Sequence, residues 1–354
     1  MKLQSRATVV DSVKRPGSGL LSFGAFTFSD TSEQKSVLIV PEKIIGIDDA
    51  GSFETSIVAI NQTPRPVGTA APEVAQVKVS SGWTQASVSE QDFLAQVMLA
   101  KQHIFSGILH KVVIARDLVR SIPAGFSVER VLRELSHRYP DTFVFSVDGL
   151  VGASPETLGS VRGQHVSLRV LAGSAPRGIS QRDDDEKARA LAISAKDLDE
   201  HRFAVHSVLH PLEDHGITAV ADDVPFQLKL PNLWHLATDV RAVLPDVASS
   251  IRVIGALHPT AAVAGSPTAA ALNFINSQEG LDRGRYSGPV GWVDANGDGD
   301  WAIALRCGQI DAKTNTITAY AGTGIVAESD AAKELLETEL KFLPIVEAVN
   351  EELL

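Results

Sequence analysis

Paired acidic residues on two predicted helices are the first sign of chemistry in this sequence. Asp197 and Glu200 lie three positions apart on one helix, and Glu334 and Glu337 have the same spacing on the last helix. A spacing of three places both side chains on one helix face. Four carboxylates brought together would repel unless a divalent cation neutralised them, and an all-oxygen set favours Mg²⁺ over zinc. Two separate solvated acidic faces would give the same pattern, so spacing alone leaves both interpretations open.

The spacing of apolar residues predicts the elements that would position these side chains. Apolar residues three and four apart over 90–107 indicate an amphipathic helix, and the apolar run at 111–115 indicates a buried strand. Further helices are predicted at 127–138, 183–210 and 330–353, and further strands at 142–147, 289–293, 301–306 and 316–320. Pro211 with Gly216 is expected to break or end the long helix, and Pro344 to kink the last one. Such a mixture indicates an α/β or α+β fold.

Two patterns imitate ligand-binding motifs. Residues 294–299 match the first half of a calcium loop, but the twelfth position, which requires a glutamate, is Leu305. A hairpin turn explains this segment better. Residues 322–327 match a dinucleotide fingerprint loosely, but the sequence after them leaves no room for a second strand with an acidic ribose ligand. We therefore expect no nicotinamide cofactor, although these glycines would let backbone amides approach a ligand closely.

Composition bounds the class of protein. The chain has 354 residues, of which 44% are hydrophobic and 21% charged, as in ordinary globular proteins and unlike a disordered chain. Its formal net charge of −11 argues against general nucleic-acid binding. Cys307 is the one cysteine, which excludes an internal disulfide and a multi-cysteine metal site. We see no secretory signal, no membrane-spanning run of about 18 apolar residues, and a linker-like stretch at 62–81, so we expect a cytoplasmic protein.

A series of short blocks, in order along the chain, resembles the chorismate-utilising enzymes and, within them, the isochorismate synthases. The blocks lie at 111–116, 154–158, 171–178, 196–201, 234–236, 257–260, 283–292, 304–306, 322–326 and 334–338. The resemblance covers residues from about 90 to the C-terminus. It implies one large α/β (α+β) domain of extended, mostly antiparallel sheets flanked by helices with a central cleft. Residues 1–88 would be a strand-rich part packed on the same fold, and 89–354 the chorismate-binding catalytic region.

The resemblance also assigns roles to individual residues. Lys111 matches the general base that activates water for attack at ring C2, and Glu156 the general acid that protonates the departing C4 hydroxyl. The implied Mg²⁺ ligands are Glu200, Glu334 and Glu337, with Asp197 as an outer candidate. The implied substrate-binding residues are Ser174, His235, Ala262, Val263, Tyr286, Arg306, Gly322, Gly324 and Lys341. A hydroxyl is a poor leaving group, so a positioned acid helps by about 10²–10⁴-fold. A lysine acts as base only where its surroundings lower its pKa from about 10.4.

Three positions select among the members of this family. Lys111 resembles water-using members, since ammonia-using ones have glutamine there. Ala172 disfavours the aminodeoxychorismate branch, whose members have a nucleophilic lysine at that position. Val263 favours isochorismate synthases over salicylate synthases, although Ala261 replaces a proline that is common in the family.

The sequence therefore predicts a monomeric Mg²⁺-dependent isochorismate synthase that serves menaquinone or siderophore biosynthesis. Its substrate would be chorismate, with no nucleic-acid or membrane partner. A salicylate synthase, which goes on to eliminate pyruvate, is the first alternative. A catalytically silent chorismate-binding homologue is the second, and the intact pair of Lys111 and Glu156 argues against it.

Overall fold

The computed structural model describes residues 8–58, 82–229, 233–244 and 249–353. The chain divides into two compact units. Unit 1 comprises residues 1–156, 258–295 and 301–354, and unit 2 comprises residues 157–257 and 296–300. The linker predicted at 62–81 lies outside the described residues. The boundary expected near residue 88 stays a prediction.

Seven helices and eighteen strands are present in the described part of the chain. In order they are β1 (Leu21–Ala25), β2 (Val37–Ile39), β3 (Lys43–Asp48), β4 (Gly51–Ser56), β5 (Thr84–Gln85), α1 (Glu90–Phe105), β6 (Lys111–Ser121), α2 (Val128–Arg138), β7 (Phe143–Val147), β8 (Leu150–Ser154), β9 (Thr157–Arg162), β10 (His165–Pro176), α3 (Gln181–Ile193), α4 (Ala195–Asp214), β11 (Ala219–Ala221), β12 (Phe226–Lys229), β13 (Leu233–Val243), α5 (Ser250–Leu257), β14 (Gly265–Ser266), α6 (Thr268–Gln278), β15 (Pro289–Asp294), β16 (Gly299–Ile303), β17 (Cys307–Asp311), β18 (Thr316–Ile325) and α7 (Ala331–Glu352). The mixed α/β class predicted from the sequence is confirmed.

A seven-stranded sheet forms the framework of unit 1. Its strand order is β14-β6-β18-β17-β8-β7, with β5 also paired to β6. Strands β6 and β18 form a long antiparallel ladder in which Val113 lies opposite Gly324 and Ala115 opposite Gly322. The N-terminal strand β1 pairs antiparallel with β15. The predicted antiparallel character of the sheets is therefore confirmed.

Helices α2 and α7 bury their apolar faces against this sheet. Val131 and Leu135 of α2 meet Phe342 and Ile345 of α7 in one buried cluster, together with Ile317 of β18. Full burial of each such side chain stabilises the fold by about 1.5–3 kcal/mol. This packing fixes α7, and with it Glu334 and Glu337, against the strand that carries Gly322 and Gly324.

The long helix predicted over 183–210 is wrong as a single element. Two helices occupy this segment, and Ser194 ends α3 and begins α4. The Ser194 side chain accepts a hydrogen bond from the Asp197 amide at 3.3 Å, which caps the second helix. A serine that caps its own downstream amides competes with continuous helix, so the chain turns there despite an unbroken polar and apolar pattern.

The two internal prolines lie within their helices, but α4 ends between Pro211 and Gly216, as predicted, and the kink expected at Pro344 stays a prediction. Helix α4 continues through Pro211 and ends at Asp214, two residues before Gly216. Helix α7 continues through Pro344 to Glu352. Pro211 lies in the last turn of its helix, where few downstream residues depend on regular hydrogen bonding. Pro344 is itself buried among the apolar contacts of α7, which compensate for its missing amide.

Unit 2 is built on a long antiparallel pairing of β10 with β13. Strand β10 also pairs with β9, while β11 and β12 pair with β13, all antiparallel. Helices α3 and α4 pack on β10. A short turn over 295–298 joins β15 to β16, as expected for the segment 294–299. None of the helices in the described ranges is long and apolar enough to cross a membrane.

Candidate functional site

The ladder between β6 and β18 places Lys111 beside Gly324. A Cβ atom built on Gly324 would lie 2.7 Å from Lys111 Cε and 3.4 Å from its Nζ. Real Cβ atoms do not approach that closely, so the lysine occupies space that only a glycine leaves open. Lys111 begins β6 and is partly buried. Lys111 and Gly324, two predicted site residues that are far apart in sequence, are therefore adjacent in the structure.

Glu156 follows β8 and is held by backbone hydrogen bonds on both sides. The Ser154 hydroxyl donates to the Ile303 carbonyl at 2.5 Å and accepts from the Glu156 amide at 3.2 Å. The Glu156 carbonyl accepts from the Ile303 amide at 3.0 Å. Burial raises the pKa of the Glu156 carboxyl, and the charges of Lys111, Arg306 and Lys341 partly oppose this. The carboxyl therefore stays protonated to higher pH than an exposed glutamate, and three predicted cationic residues lie within electrostatic range of it.

The partly buried Arg306 and the buried Tyr286 belong to the same region. Arg306 has a φ of 49°, a backbone conformation that is uncommon for residues other than glycine. The charges of Glu156 and Glu337 act on its guanidinium, which makes no ion pair with a carboxylate in the described part of the chain. Tyr286 stacks on Tyr320 with ring centroids 5.2 Å apart. Burial raises the pKa of Tyr286 to about 12, so its phenol stays neutral and can donate a hydrogen bond.

Gly322 leaves room for that phenol. A Cβ atom on Gly322 would lie 2.9 Å from Tyr286 Oη and 3.0 Å from the Ile114 carbonyl oxygen. Both glycines of the 322–326 motif therefore sit in a strand and make space for a predicted site residue. This position in β18, and not in a loop before a helix, agrees with the expectation that the motif is no dinucleotide fingerprint.

The acids of α7 meet β18 at Thr323. The Thr323 hydroxyl donates to Glu334 Oε2 at 2.6 Å and is also within hydrogen-bonding reach of Glu337. Lys341 pairs with Glu337 at 2.5 Å and donates to the Gly322 carbonyl at 2.9 Å. Burial raises the pKa of Glu337, but hydrogen bonds from Lys341 and Thr323 outweigh it and leave the pKa below its usual range. Glu337 is therefore an anion at neutral pH.

The segment before β14 carries the predicted substrate-binding residues Ala262 and Val263. Val263 is buried, and its amide donates to the Thr260 carbonyl at 3.1 Å. Its own carbonyl accepts from Arg283 Nη1 at 2.8 Å. Ala262 lies in the same turn and is exposed, whereas Val263 is buried.

Unit 2 holds the remaining predicted residues. A bulge at Gly173, whose φ is 75°, brings Ser174 opposite His235, and Ser174 Oγ lies 2.9 Å from His235 Nδ1. Asp197 packs against Gly173, since a Cβ atom there would be 3.2 Å from Asp197 Cβ. Glu200 is exposed on α4.

His201, next to Glu200, is buried and fixes α4 against the sheet of unit 2. Its Nδ1 lies 3.0 Å from the Ala172 carbonyl oxygen and its Nε2 lies 2.7 Å from Thr238 Oγ1. Burial lowers the pKa of His201, which keeps the ring neutral. A neutral ring can donate from Nδ1 and accept at Nε2, and this matches both partners.

The structure thus brings together most of the predicted residues of unit 1. These are Lys111, Glu156, Tyr286, Arg306, Gly322, Gly324, Glu334, Glu337 and Lys341. Sequence reasoning missed Thr323, which contacts both acids of α7; its position between the two predicted glycines was the available signal. Among the described residues, no three His, Cys, Asp or Glu side chains are grouped closely enough to hold a metal ion. The metal-binding roles stay predictions.

This chain is similar in sequence to proteins that are named isochorismate synthases. A Bacillus subtilis protein named isochorismate synthase DhbC is 35% identical over 272 residues, which cover 73% of this chain and 68% of that protein. A Mycobacterium tuberculosis protein with the provisional name isochorismate synthase MenF is 40% identical over 279 residues, 74% of each chain.

A solved structure extends the similarity to the fold. It comes from Bacillus anthracis and is described provisionally as a 2,3-dihydroxybenzoate-specific isochorismate synthase, DhbC. Its TM-score is 0.70 at 31% identity, and the match covers 94% of this chain and 84% of that one. The family model described as chorismate binding enzyme matches residues 1–350. This chain therefore belongs to the chorismate-binding enzyme family.

Proposed function

We propose that this protein is an isochorismate synthase, which converts chorismate reversibly to isochorismate with Mg²⁺ as cofactor. The observation that carries the proposal is the common location of Lys111 and Glu156, a candidate base and a candidate acid within electrostatic range of each other. The names of the similar proteins support the same reaction. The reaction is an isomerisation, because the hydroxyl lost at C4 is balanced by the hydroxyl gained at C2.

In this mechanism Lys111 removes a proton from the attacking water. Its side chain lies over Gly324, and the residue begins a strand that is hydrogen-bonded on both edges, so the neutral amine that accepts this proton has a defined position. Positioning of the reacting groups accounts for a large part of enzymatic rate enhancement.

Glu156 gives its proton to the departing C4 hydroxyl. The raised pKa of this carboxyl favours the protonated form that a general acid requires. Because the reaction is reversible, the two groups exchange roles in the reverse direction.

Cationic groups near Glu156 would hold the carboxylates of the substrate. Arg306 offers a planar fork that can bind both oxygens of one carboxylate. Lys341 and the phenol of Tyr286 are the other donors in this region. Chorismate carries two carboxylates, so several donors are needed in a protein with a net charge of −11.

Glu334 and Glu337 would hold the Mg²⁺ ion. Their chemistry fits, since both are oxygen ligands on one helix face and both reach the same threonine hydroxyl. When bound, the ion would neutralise a substrate carboxylate and orient it. Glu200 and Asp197 of unit 2 remain predicted ligands on the strength of the resemblance.

Three residues separate this function from its alternatives. Lysine at 111 and alanine at 172 disfavour the ammonia-using and aminodeoxychorismate branches, and valine at 263 disfavours the salicylate synthases. A silent homologue would need neither the base nor the acid. We further propose that the enzyme is a cytoplasmic monomer and that its product enters menaquinone or siderophore biosynthesis.

Incubation of the purified protein with chorismate and Mg²⁺, followed by chromatographic separation of the products, tests the proposal. We expect isochorismate as the main product and its disappearance when an isochorismatase is added. Salicylate with pyruvate as the main products would replace the proposal with the salicylate synthase. No turnover at any Mg²⁺ concentration would favour the silent homologue.

A further inference from the structure

A buried ion pair in unit 1 lies outside the set of predicted site residues. Arg283 Nε donates to Glu279 Oε1 and Arg283 Nη2 to Glu279 Oε2, both at 2.6 Å. The side chains are 2% and 1% exposed. The Phe28 ring covers the guanidinium at 4.3 Å. A buried pair of this kind contributes little net stability compared with apolar residues, so its presence calls for another explanation.

Glu279 and Arg283 form hydrogen bonds with the backbone of β6 at positions beyond the end of β14, the strand that pairs with the beginning of β6. Strand β14 pairs with the beginning of β6, where Gly265 lies opposite Val112. Further along β6, the Val113 carbonyl accepts from Arg283 Nη2 at 2.9 Å and the Ala115 amide donates to Glu279 Oε2 at 2.9 Å. Two side chains thus take the place of a backbone partner for the strand that begins with Lys111.

The same guanidinium also binds the segment that carries the predicted substrate-binding residues Ala262 and Val263. Arg283 Nη1 donates to the Val263 carbonyl at 2.8 Å. One planar group therefore contacts β6 and the 260–264 segment at once, with its orientation set by both carboxylate oxygens of Glu279. Bidentate pairing fixes the plane of an arginine, so the separation between its two carbonyl partners is fixed as well.

We infer that Glu279 and Arg283 are positioning residues, which set the distance and angle between the strand of Lys111 and the segment of Val263. This inference rests on the proposed function, in which Lys111 activates water and Val263 is a substrate-binding residue. Neither residue of the pair is proposed to touch the substrate. Their effect on the reaction passes through the backbone of Val113, Ala115 and Val263.

Arg283→Lys tests the inference, because lysine keeps the charge and loses the planar fork. Arg285→Lys is the matched control. Arg285 lies two residues away and is also buried, but its hydrogen bonds go to Asp148 and to the Lys35 carbonyl. Both variants should lose similar thermal stability, whereas only Arg283→Lys should alter β6 and the 260–264 segment.

Two measurements separate positioning from simple destabilisation. Hydrogen–deuterium exchange should become faster in peptides covering 110–117 and 258–265 for Arg283→Lys and stay unchanged there for Arg285→Lys. In the chorismate assay, Arg283→Lys should lower kcat at least about tenfold with little change in KM, since misplacement by about 1 Å can cost about 10²-fold. Arg285→Lys should keep most of its kcat.

Equal kcat losses in the two variants, or unchanged exchange over 110–117 in Arg283→Lys, would overturn the inference. If Arg283→Lys does not fold, Phe28→Leu is the second variant, because it removes the ring over the guanidinium. It should give a smaller increase in exchange over 110–117 and 258–265 and a smaller loss of kcat. Unchanged exchange or unchanged kcat in Phe28→Leu would also overturn the inference. Exchange does not depend on turnover. Failure of the wild-type protein to convert chorismate would therefore reject the proposed function, while the exchange data would still decide whether the pair couples the two segments.

Discussion

Lys111 Cε lies 2.7 Å from the point where a Cβ atom on Gly324 would stand. These two residues belong to adjacent antiparallel strands, and the glycine gives the lysine its place at the site. The close contact is with the far end of a flexible side chain and not with backbone. Steric pressure at this point should therefore move the lysine without unfolding the sheet.

Gly324→Ala should consequently lower kcat by about 10–100-fold, as expected for displacement of a reacting group by about 1 Å, with little change in Tm. Gly255→Ala is the control, because a Cβ atom at that helical position would meet nothing within 4 Å. It should leave turnover unchanged. Steady-state kinetics and thermal denaturation of both variants check this prediction, and wild-type turnover in Gly324→Ala would contradict it.

Replacement of Lys111 should remove the base. Lys111→Met keeps the length of the side chain and lacks the amine, so we expect turnover to fall by about 10²–10⁴-fold while circular dichroism stays that of the wild type. Lys313→Met, in an exposed turn, is the control and should retain full activity. Turnover of Lys111→Met within a few-fold of the wild type would mean that another group activates the water.

Glu156→Gln should alter both turnover and the pH dependence of stability. Burial raises the pKa of this carboxyl in the folded protein above its unfolded value, so the ionised form destabilises the fold. That cost is full above the folded pKa and is relieved as the pH falls through it toward the unfolded value. The glutamine variant should therefore have a higher Tm than the wild type at about pH 8, and this advantage should shrink toward about pH 5.

Thermal melts across that pH range, with chorismate turnover measured in parallel, test the Glu156 prediction. Turnover of Glu156→Gln should fall by about 10²–10⁴-fold because the variant has no acidic proton to donate. The exposed Glu328→Gln serves as the control. A difference in Tm that does not change with pH would show that the carboxyl is not the cause.

Thr323 should influence the Mg²⁺ requirement. Its hydroxyl donates to Glu334 and reaches Glu337, so Thr323→Val removes a group that orients both proposed ligands without changing side-chain volume. Loss of a residue that orients metal ligands typically weakens metal affinity by about 10–100-fold. We expect a rise of that order in the Mg²⁺ concentration for half-maximal activity, with kcat largely recovered at saturation.

Mg²⁺ titrations of Thr323→Val and of Thr318→Val, on the same strand, check this expectation. Glu337→Gln should show the stronger effect because it removes a proposed ligand itself. An identical Mg²⁺ titration in Glu337→Gln and the wild type would argue against a metal site on α7.

The sequence by itself determined the chemical groups and the family. The order of its short motifs identified the chorismate-binding enzymes, and the apolar spacing predicted α1, α2 and α7 and the strands β6, β7, β15, β16 and β18, because both signals are local in the chain. Local signals failed at Ser194, where a side chain that caps the next helix ends one helix and begins another. Local signals did place the end of α4, because the helix ends at Asp214, between Pro211 and Gly216.

Only the tertiary structure decided which of these groups meet. The register of β6 against β18 puts Lys111 at Gly324, and the packing of α7 brings Glu334 to Thr323. The tertiary structure also showed that the side chains of Glu279 and Arg283 form hydrogen bonds with the backbone of β6, at Ala115 and Val113. Pairing between strands depends on contacts between distant parts of the chain, and no spacing within one segment records that partner or its register.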